Sequence, residues 1–470
     1  MLDLTVLDPS PVAPAADAPP RFTPDRPMRI ALVSPRGPLY RHKGGVWKKG
    51  LRYAPLTLTT LAALVPDDVP ATVVLVDEGL EEIDPALDAD LIGLSLITGT
   101  APRGYDLAAH FRQRGIPVVI GGVHATLCPD EAQRHADSVV VGYAEDTWPD
   151  LLRDFAATGR MQPRYTQAPG LSLAGRPHAK RHLLAGGKAS VAMPHTLEAT
   201  RGCQHRCDFC VVPTAWGRPI QRPVADVVDD IRQMRARRLL FLDLNLIGDE
   251  AYARELFTAL IPLKVTWGGL VTTMLAWNDD LLALAARSGC RGLLIGFESL
   301  SPASLKETHK GFNLHRDYGY VMRQMHKHDI AVQGCFVFGF DHDDLDVFDR
   351  TADFALDHAI DLPRFAIQTP FPGTGLFKRL KAEGRLLTED WTYYDGQHVV
   401  YRPAQMTPDE LLRGTNRTWQ RVYSMRGIAS RLARSRNQLA VGIPANLGYR
   451  FYARNLHRYY TCDAPPIAAA

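Results

Sequence analysis

Three of the seven cysteines, Cys203, Cys207 and Cys210, fall within eight residues in the spacing C-x3-C-x2-C, whereas Cys128, Cys290, Cys335 and Cys462 are scattered singly. Three thiolates on one tight loop can hold three irons of a four-iron four-sulfur cluster and leave the fourth iron open. An open iron can bind a small molecule and pass it an electron. A structural zinc would want four ligands, and His205, placed between two of the cysteines, does not give a usual finger spacing. Asp243, Asn245 and Glu298 each close an apolar run, where a polar side chain either caps the next helix or reaches a ligand. Cys290 and Cys335 lie in strand or helix text and read as core residues that a cluster does not need.

The elements that must position these residues are α/β throughout. From Met28, short β-branched runs (29–33, 71–76, 91–96, 117–120 and 138–142) alternate with helical text at roughly 55–65, 101–114, 129–135 and 146–157. Fully apolar strands separated by helices imply a parallel sheet covered on both faces, a doubly wound domain over 28–160, with ligands bound beyond the strand carboxyl ends. Residues 161–192 read as a Gly-, Pro- and His-rich linker. A second series follows over 193–385, with strands expected at 196–200, 239–243, 265–269, 292–297, 331–338 and 364–368. Six βα units are too few for a closed eight-stranded barrel, so they imply an open (β/α)6 partial TIM barrel. The cysteine cluster then follows its first strand. Residues 386–470 read as a mainly helical region rich in arginine.

The chain has 470 residues and a net charge of +3, which is too small to predict phosphate-backbone binding as its main business, so no nucleic-acid partner is expected. No apolar run approaches the ~20 residues of a bilayer span, and the start lacks the basic-then-apolar order of a secretory signal. A cytoplasmic protein without a disulfide framework is expected. Residues 1–27, rich in Pro, Ala and Asp, read as a disordered leader.

The cysteine motif, with aromatic Phe209 before its last cysteine and its place after a first barrel strand, resembles the radical S-adenosylmethionine (SAM) enzymes. In that family the open iron chelates the amino and carboxylate groups of SAM, and electron transfer gives a 5'-deoxyadenosyl radical. The resemblance places Phe209 beside the adenine, Asp243 and Asn245 at the amino group, and Glu298 and Ser299 at the methionine or ribose portion. Gly339, in the fifth-strand glycine motif, and Thr369, after the sixth strand, complete the implied SAM contacts.

A doubly wound domain before such a barrel resembles the cobalamin-binding subclass, over roughly residues 28 to 460. The resemblance implies that Gly121 and Gly122 let the backbone approach the flat macrocycle, with Gly142 and Glu145 nearby. Leu39, Tyr40, Ile97, Thr98 and Gly99 are the candidates for lining its lower face. The D-x-H-x-x-G motif of the mutases, whose histidine ligates cobalt, is absent from this sequence, as is common among the radical SAM members; His42 and His124 are candidate ligands, although a lone histidine is more often a hydrogen-bonded structural residue. The RNA-modifying methylthiotransferases also join an α/β domain to such a barrel. Their first domain supplies three cysteines, against Cys128 alone here, and they end in a β-barrel where this chain reads helical.

The resemblance implies methylation of an unactivated carbon of a small-molecule or lipid substrate through methylcobalamin and the deoxyadenosyl radical, with a flavodoxin or ferredoxin as electron donor. Family members that cyclise, contract or rearrange rings without net methylation give the alternative, and a non-catalytic iron-sulfur or corrinoid carrier the remaining one. Trp391 and Tyr394 are candidates for a substrate wall. The basic C-terminal helices could meet an anionic substrate or a membrane surface, or form a solvated face.

Overall fold

The computed structural model describes residues 22–37, 53–184 and 195–459. Most of the expected leader, the candidates Leu39, Tyr40 and His42, and Cys462 lie outside the described residues. Phe22, at the end of the expected leader, is buried and packs its ring 6.1 Å from that of Phe155.

The first sheet is all parallel. Strands β1 (Met28–Ser34), β2 (Ala71–Asp77), β3 (Leu91–Ser95), β4 (Val118–Gly121), β5 (Ser138–Val141) and β6 (Arg164–Thr166) lie in the order β2-β1-β3-β4-β5-β6. Strand β6 is a correction to the linker, because residues 164–166 pair with β5 as an edge strand too short to show a periodicity. Alternation along β1 sends Ala31 and Val33 to a core shared with helix Ala101–Gln113, and Ile30 and Leu32 to a core shared with helices Thr57–Ala63 and Thr147–Thr158. Both faces are therefore covered, which is why the strands read as continuous apolar runs.

The second sheet is also parallel. Its strands are β7 (Thr196–Leu197), β10 (Arg238–Phe241), β11 (Thr266–Val271), β12 (Cys290–Glu298), β13 (Ala331–Phe338) and β14 (Arg364–Ile367), in sequential order from β7 to β14. The short antiparallel pair β8 (Thr200–Arg201) and β9 (Ile220–Gln221) flanks the cysteine loop. Leu293, Ile295, Phe297, Phe336, Phe338 and Phe365 pack into the main core under the helices. The alternate positions, among them Leu270, Leu294, Val337 and Ala366, are half-buried. At the carboxyl end of β12 the register with β13 shifts, and Glu298 adopts φ 64°, a left-handed conformation costly for a non-glycine residue.

Helices Pro408–Val422, Met425–Ser435 and Leu439–Tyr459 close the chain against β14. Trp419 donates to the Phe365 carbonyl at 3.0 Å and Tyr423 to that of Pro363 at 2.7 Å. Arg431, one of the arginines expected on a solvated face, is fully buried. Its guanidinium donates to the carbonyls of Ile360 and Asp361 and to Asn446, which offsets part of the cost of burying the charge.

Candidate active site between the two sheets

The cysteine loop begins where β8 ends. Gly202 turns the chain with φ +81°, and a Cβ there would stand 2.9 Å from the Arg218 carbonyl oxygen. Asp208 within the loop donates its N–H to the Thr308 carbonyl, and Leu376 donates to the Asp208 carbonyl, so the ends of two other βα units hold the loop. Burial pushes the Cys203, Cys207 and Cys210 thiols up, Cys207 to about 11, while the nearby Lys310 ammonium pulls all three back. Buried thiols of this kind become thiolates when metal replaces their protons. His205 is stacked on Phe312 at 4.0 Å.

Facing the loop, Lys310 is buried and ion-paired with Glu298. Gly296 leaves the space, since a Cβ there would meet both charged ends. Asn245, just beyond β10, is buried with neither its amide oxygen nor its amide nitrogen satisfied among the described residues, as a side chain built to meet a ligand would be. Phe209 packs half-buried near Phe340.

The remaining SAM candidates have internal duties. Asp243 is fully enclosed: it accepts from the Ala199 and Thr200 N–H groups and the Thr200 hydroxyl, and burial pushes its carboxyl up to about 7. It fixes the strand leading to the cysteines and does not face the site. Ser299 accepts from the Ser301 N–H in a turn, and Thr369 donates to the Ile367 carbonyl. Gly339, at φ +100°, is closed off by Tyr401, whose hydroxyl donates to the Gly339 carbonyl at 2.5 Å.

A cleft of about 410 Å³ runs from the cysteine side of the barrel to the carboxyl edge of the first sheet. Its first-domain wall includes Gly121, Gly122, Gly142 and Glu145; its barrel wall includes Glu198, Arg201, Gly202, Trp216, Leu242 and Leu244. Gly122 has φ +94°, and a Cβ there would lie 2.6 Å from the Leu96 carbonyl oxygen. Leu32, Gly93, Val119, Val140 and Trp148 also line the cleft; the Trp148 indole N–H and one Glu145 carboxylate oxygen are buried and have no partner among the described residues. A glycine-floored, apolar cleft with one orphan donor and one orphan acceptor fits an amide-fringed corrinoid. Glu145 also reaches across to Arg201, which pairs with Glu198 at 2.9 Å and lies over the Tyr143 ring, itself stacked on Trp216 at 4.9 Å. Arg201, Glu198, Tyr143, Trp216 and Lys310 were not found from the sequence; only the adjacency of Arg201 to the cysteines could have flagged it.

The other cobalamin candidates are elsewhere. His124 is wholly buried; its ring contacts Thr98 at 3.4 Å and the Tyr105 hydroxyl at 3.1 Å, and it does not line the cleft. Glu131 completes that group. Although burial pushes its carboxyl up, hydrogen bonds from His124, Trp391 and Tyr105 hold it down at about 2. With Cys128 these donors stand near single-ion spacing, but hydrogen bonds already engage His124 and Glu131. Ile97 is exposed at the strand end, and Gly99 lines a separate cleft with Arg36 and Arg103. Trp391 donates to Glu131 across the interface between the domains at 2.9 Å, and buried Tyr394 donates to the Thr388 carbonyl at 2.6 Å. Neither lines the cleft.

Comparison with known proteins agrees with this geometry. Residues 50–152 match the B12 binding domain and residues 197–355 the radical SAM superfamily. Bacteriochlorophyllide d C-12(1)-methyltransferase of Chlorobaculum tepidum is 34% identical over 73% of this chain and 76% of that protein. The C-8(2)-methyltransferase of the same organism is 28% identical over 80% and 87%. Among solved structures, the radical SAM methyltransferase TsrM of Kitasatospora setae, with cobalamin and a 4Fe-4S cluster bound, superposes with a TM-score of 0.60 at 16% identity, covering 76% of this chain and 78% of that one. OxsB, with aqua-cobalamin and SAM bound, gives 0.62 at 14% identity over 92% and 72%. Both share the fold.

Proposed function

Because the chain belongs to the cobalamin-binding radical SAM enzymes, we propose that it methylates an unactivated carbon of an apolar small molecule, with a cyclic tetrapyrrole as the substrate class. The observation that carries this reading is the single cleft whose walls are the glycine-lined edge of the first sheet and the segment that enters the cysteine loop. The cofactors of the chain are a 4Fe-4S cluster, SAM and cobalamin, which when bound supply one-electron cleavage of SAM and a methyl group carried on cobalt.

The protein's own part is to hold, orient and dry. Cys203, Cys207 and Cys210 provide the cluster thiolates on a loop pinned at Asp208. Asn245 offers an unsatisfied donor and acceptor to SAM, beside the Glu298–Lys310 pair. Glu145 and Trp148 offer an acceptor and a donor to the corrinoid, and Trp216, Leu242 and Leu244 keep water from the junction. The half-buried, apolar positions Leu270, Leu294 and Val337 suit an apolar substrate, and the two bacteriochlorophyllide methyltransferases among the relatives suggest the tetrapyrrole. A flavodoxin or ferredoxin is the proposed reductant.

The test is an anaerobic incubation of reconstituted protein with methyl-labelled SAM, a reductant and a bacteriochlorophyllide-type pigment. One labelled methyl group should appear on the pigment, with S-adenosylhomocysteine and 5'-deoxyadenosine formed in equal amounts. Converted substrate with deoxyadenosine but no homocysteine product would reject methylation and favour cyclisation, the activity named for a magnesium-protoporphyrin IX monomethyl ester cyclase from Cereibacter sphaeroides that is 23% identical to this chain.

A further inference from the structure

Helix Leu439–Tyr459 buries Ala445, Asn446, Ala453 and Leu456 against the rest of the protein. Its opposite face would ordinarily be polar. Here it presents Leu439, Ile443, Leu447 and Phe451, which follow one another at intervals of four residues and are 38%, 47%, 47% and 46% exposed. At 100° per residue these four side chains span one arc, and Arg450 and Arg454 fall within the same arc. From Met425 to Tyr459 the chain carries neither Asp nor Glu; Arg426, Arg436 and Arg454 are exposed there, whereas Arg431 is buried and Arg434 and Arg450 donate to the carbonyls of Asp357 and Tyr423. A continuous exposed apolar ridge of this kind marks an interaction surface.

We propose that this helix seats the protein on an anionic bilayer surface, with the apolar ridge at the boundary of headgroups and acyl chains and the arginines on lipid phosphates. Charge complementarity selects this occupant. A second copy docked by two-fold symmetry would bring the same face against itself, opposing arginines to arginines with no nearby carboxylate on this helix or the one before it. An anionic lipid surface supplies the missing charge, and apolar burial supplies the rest of the affinity. The helix would lie in the interface: among the described residues, no helix is long and apolar enough to cross a membrane.

Flotation of the full chain with phosphatidylcholine vesicles, with and without phosphatidylglycerol, tests the proposal. Binding should require phosphatidylglycerol and weaken at high salt. Arg454→Gln should weaken it about fivefold, and the double variant Leu447→Glu/Phe451→Glu should abolish it. Retained iron and corrinoid content would show that each variant is folded. Wild-type protein that floats with neither vesicle overturns the proposal. So does a dimer that the double variant converts to monomer without any vesicle binding, which would assign the face to a second copy of the chain.

Discussion

Lys310 places an ammonium beside three thiols that must be anionic to hold iron, and it is fixed there by Glu298 and by the Phe312 ring beneath it at 5.6 Å. A buried cation stabilises the added negative charge of a reduced cluster more than the oxidised form. Replacing it by Met should therefore leave the iron content intact and make the cluster harder to reduce, whereas Lys310→Arg should restore most of the difference. A redox titration followed by electron paramagnetic resonance reads the midpoint directly. An unchanged midpoint in Lys310→Met would show that the ammonium is too well screened by Glu298 to act on the cluster. Asp243 gives the contrasting lesson at this scale. Its place at a strand end is that of a ligand contact, yet its carboxylate is spent on the backbone of Ala199 and Thr200.

The turn from β4 into helix Val123–Leu127 shows what an element needs. The chain reverses within van der Waals contact of the Leu96 backbone, and the φ of +94° at Gly122 allows that approach only without a side chain. Gly122→Ala adds both a backbone overlap and left-handed strain, each of order 1 kcal/mol or more. The change should cut the cobalamin retained through gel filtration at least tenfold while leaving the iron on the barrel loop. Gly121 is the control, since a Cβ there would meet only ordinary contacts at 3.5 Å or more, and Gly121→Ala should keep most of the corrinoid. Equal loss from both variants would mean that the cleft rejects any added carbon, and that the turn itself is not what matters.

At the scale of the whole molecule, the two sheets are joined at the site by a buried charge group: Glu145 from the first domain, and Arg201 and Glu198 from the barrel. Removing the cation leaves the buried Glu145 carboxylate without its ion pair, at a cost below the roughly 3–5 kcal/mol of a fully buried pair because Arg201 and Glu198 are partly exposed to the cleft. Arg201→Met should lower the melting temperature and reduce both cobalamin and iron retention, because the guanidinium touches the cleft and stands two residues from Cys203. Glu145→Gln should cost less, as it keeps a hydrogen-bond acceptor for Arg201. A double variant, Arg201→Met/Glu145→Gln, that is no worse than Arg201→Met alone would demonstrate direct coupling of the pair. Strictly additive losses would show that the two residues act separately.

What the sequence by itself determined is what rests on local spacing. The cluster cysteines follow from three thiols in eight residues, and the two parallel sheets from apolar runs alternating with helices, because a strand buried on both faces needs an apolar side chain at every position. Strand β6, only three residues long, is too short to carry such a pattern. Only the packing shows which polar residues at the strand ends are satisfied within the protein and which are not. Asn245 and Asp243 are two positions apart at one strand end, yet the first is left unsatisfied and the second is consumed by a neighbouring strand. It also decided that His124 is locked among Tyr105, Glu131 and Trp391. Arg201 and Glu145, 56 residues apart, meet in one ion pair. One physical cause runs through these cases: burial drives most polar groups to a partner and makes an unpaired one such as Asn245 conspicuous, and the partner comes from whichever segment packs beside it, at a distance along the chain that no local pattern encodes.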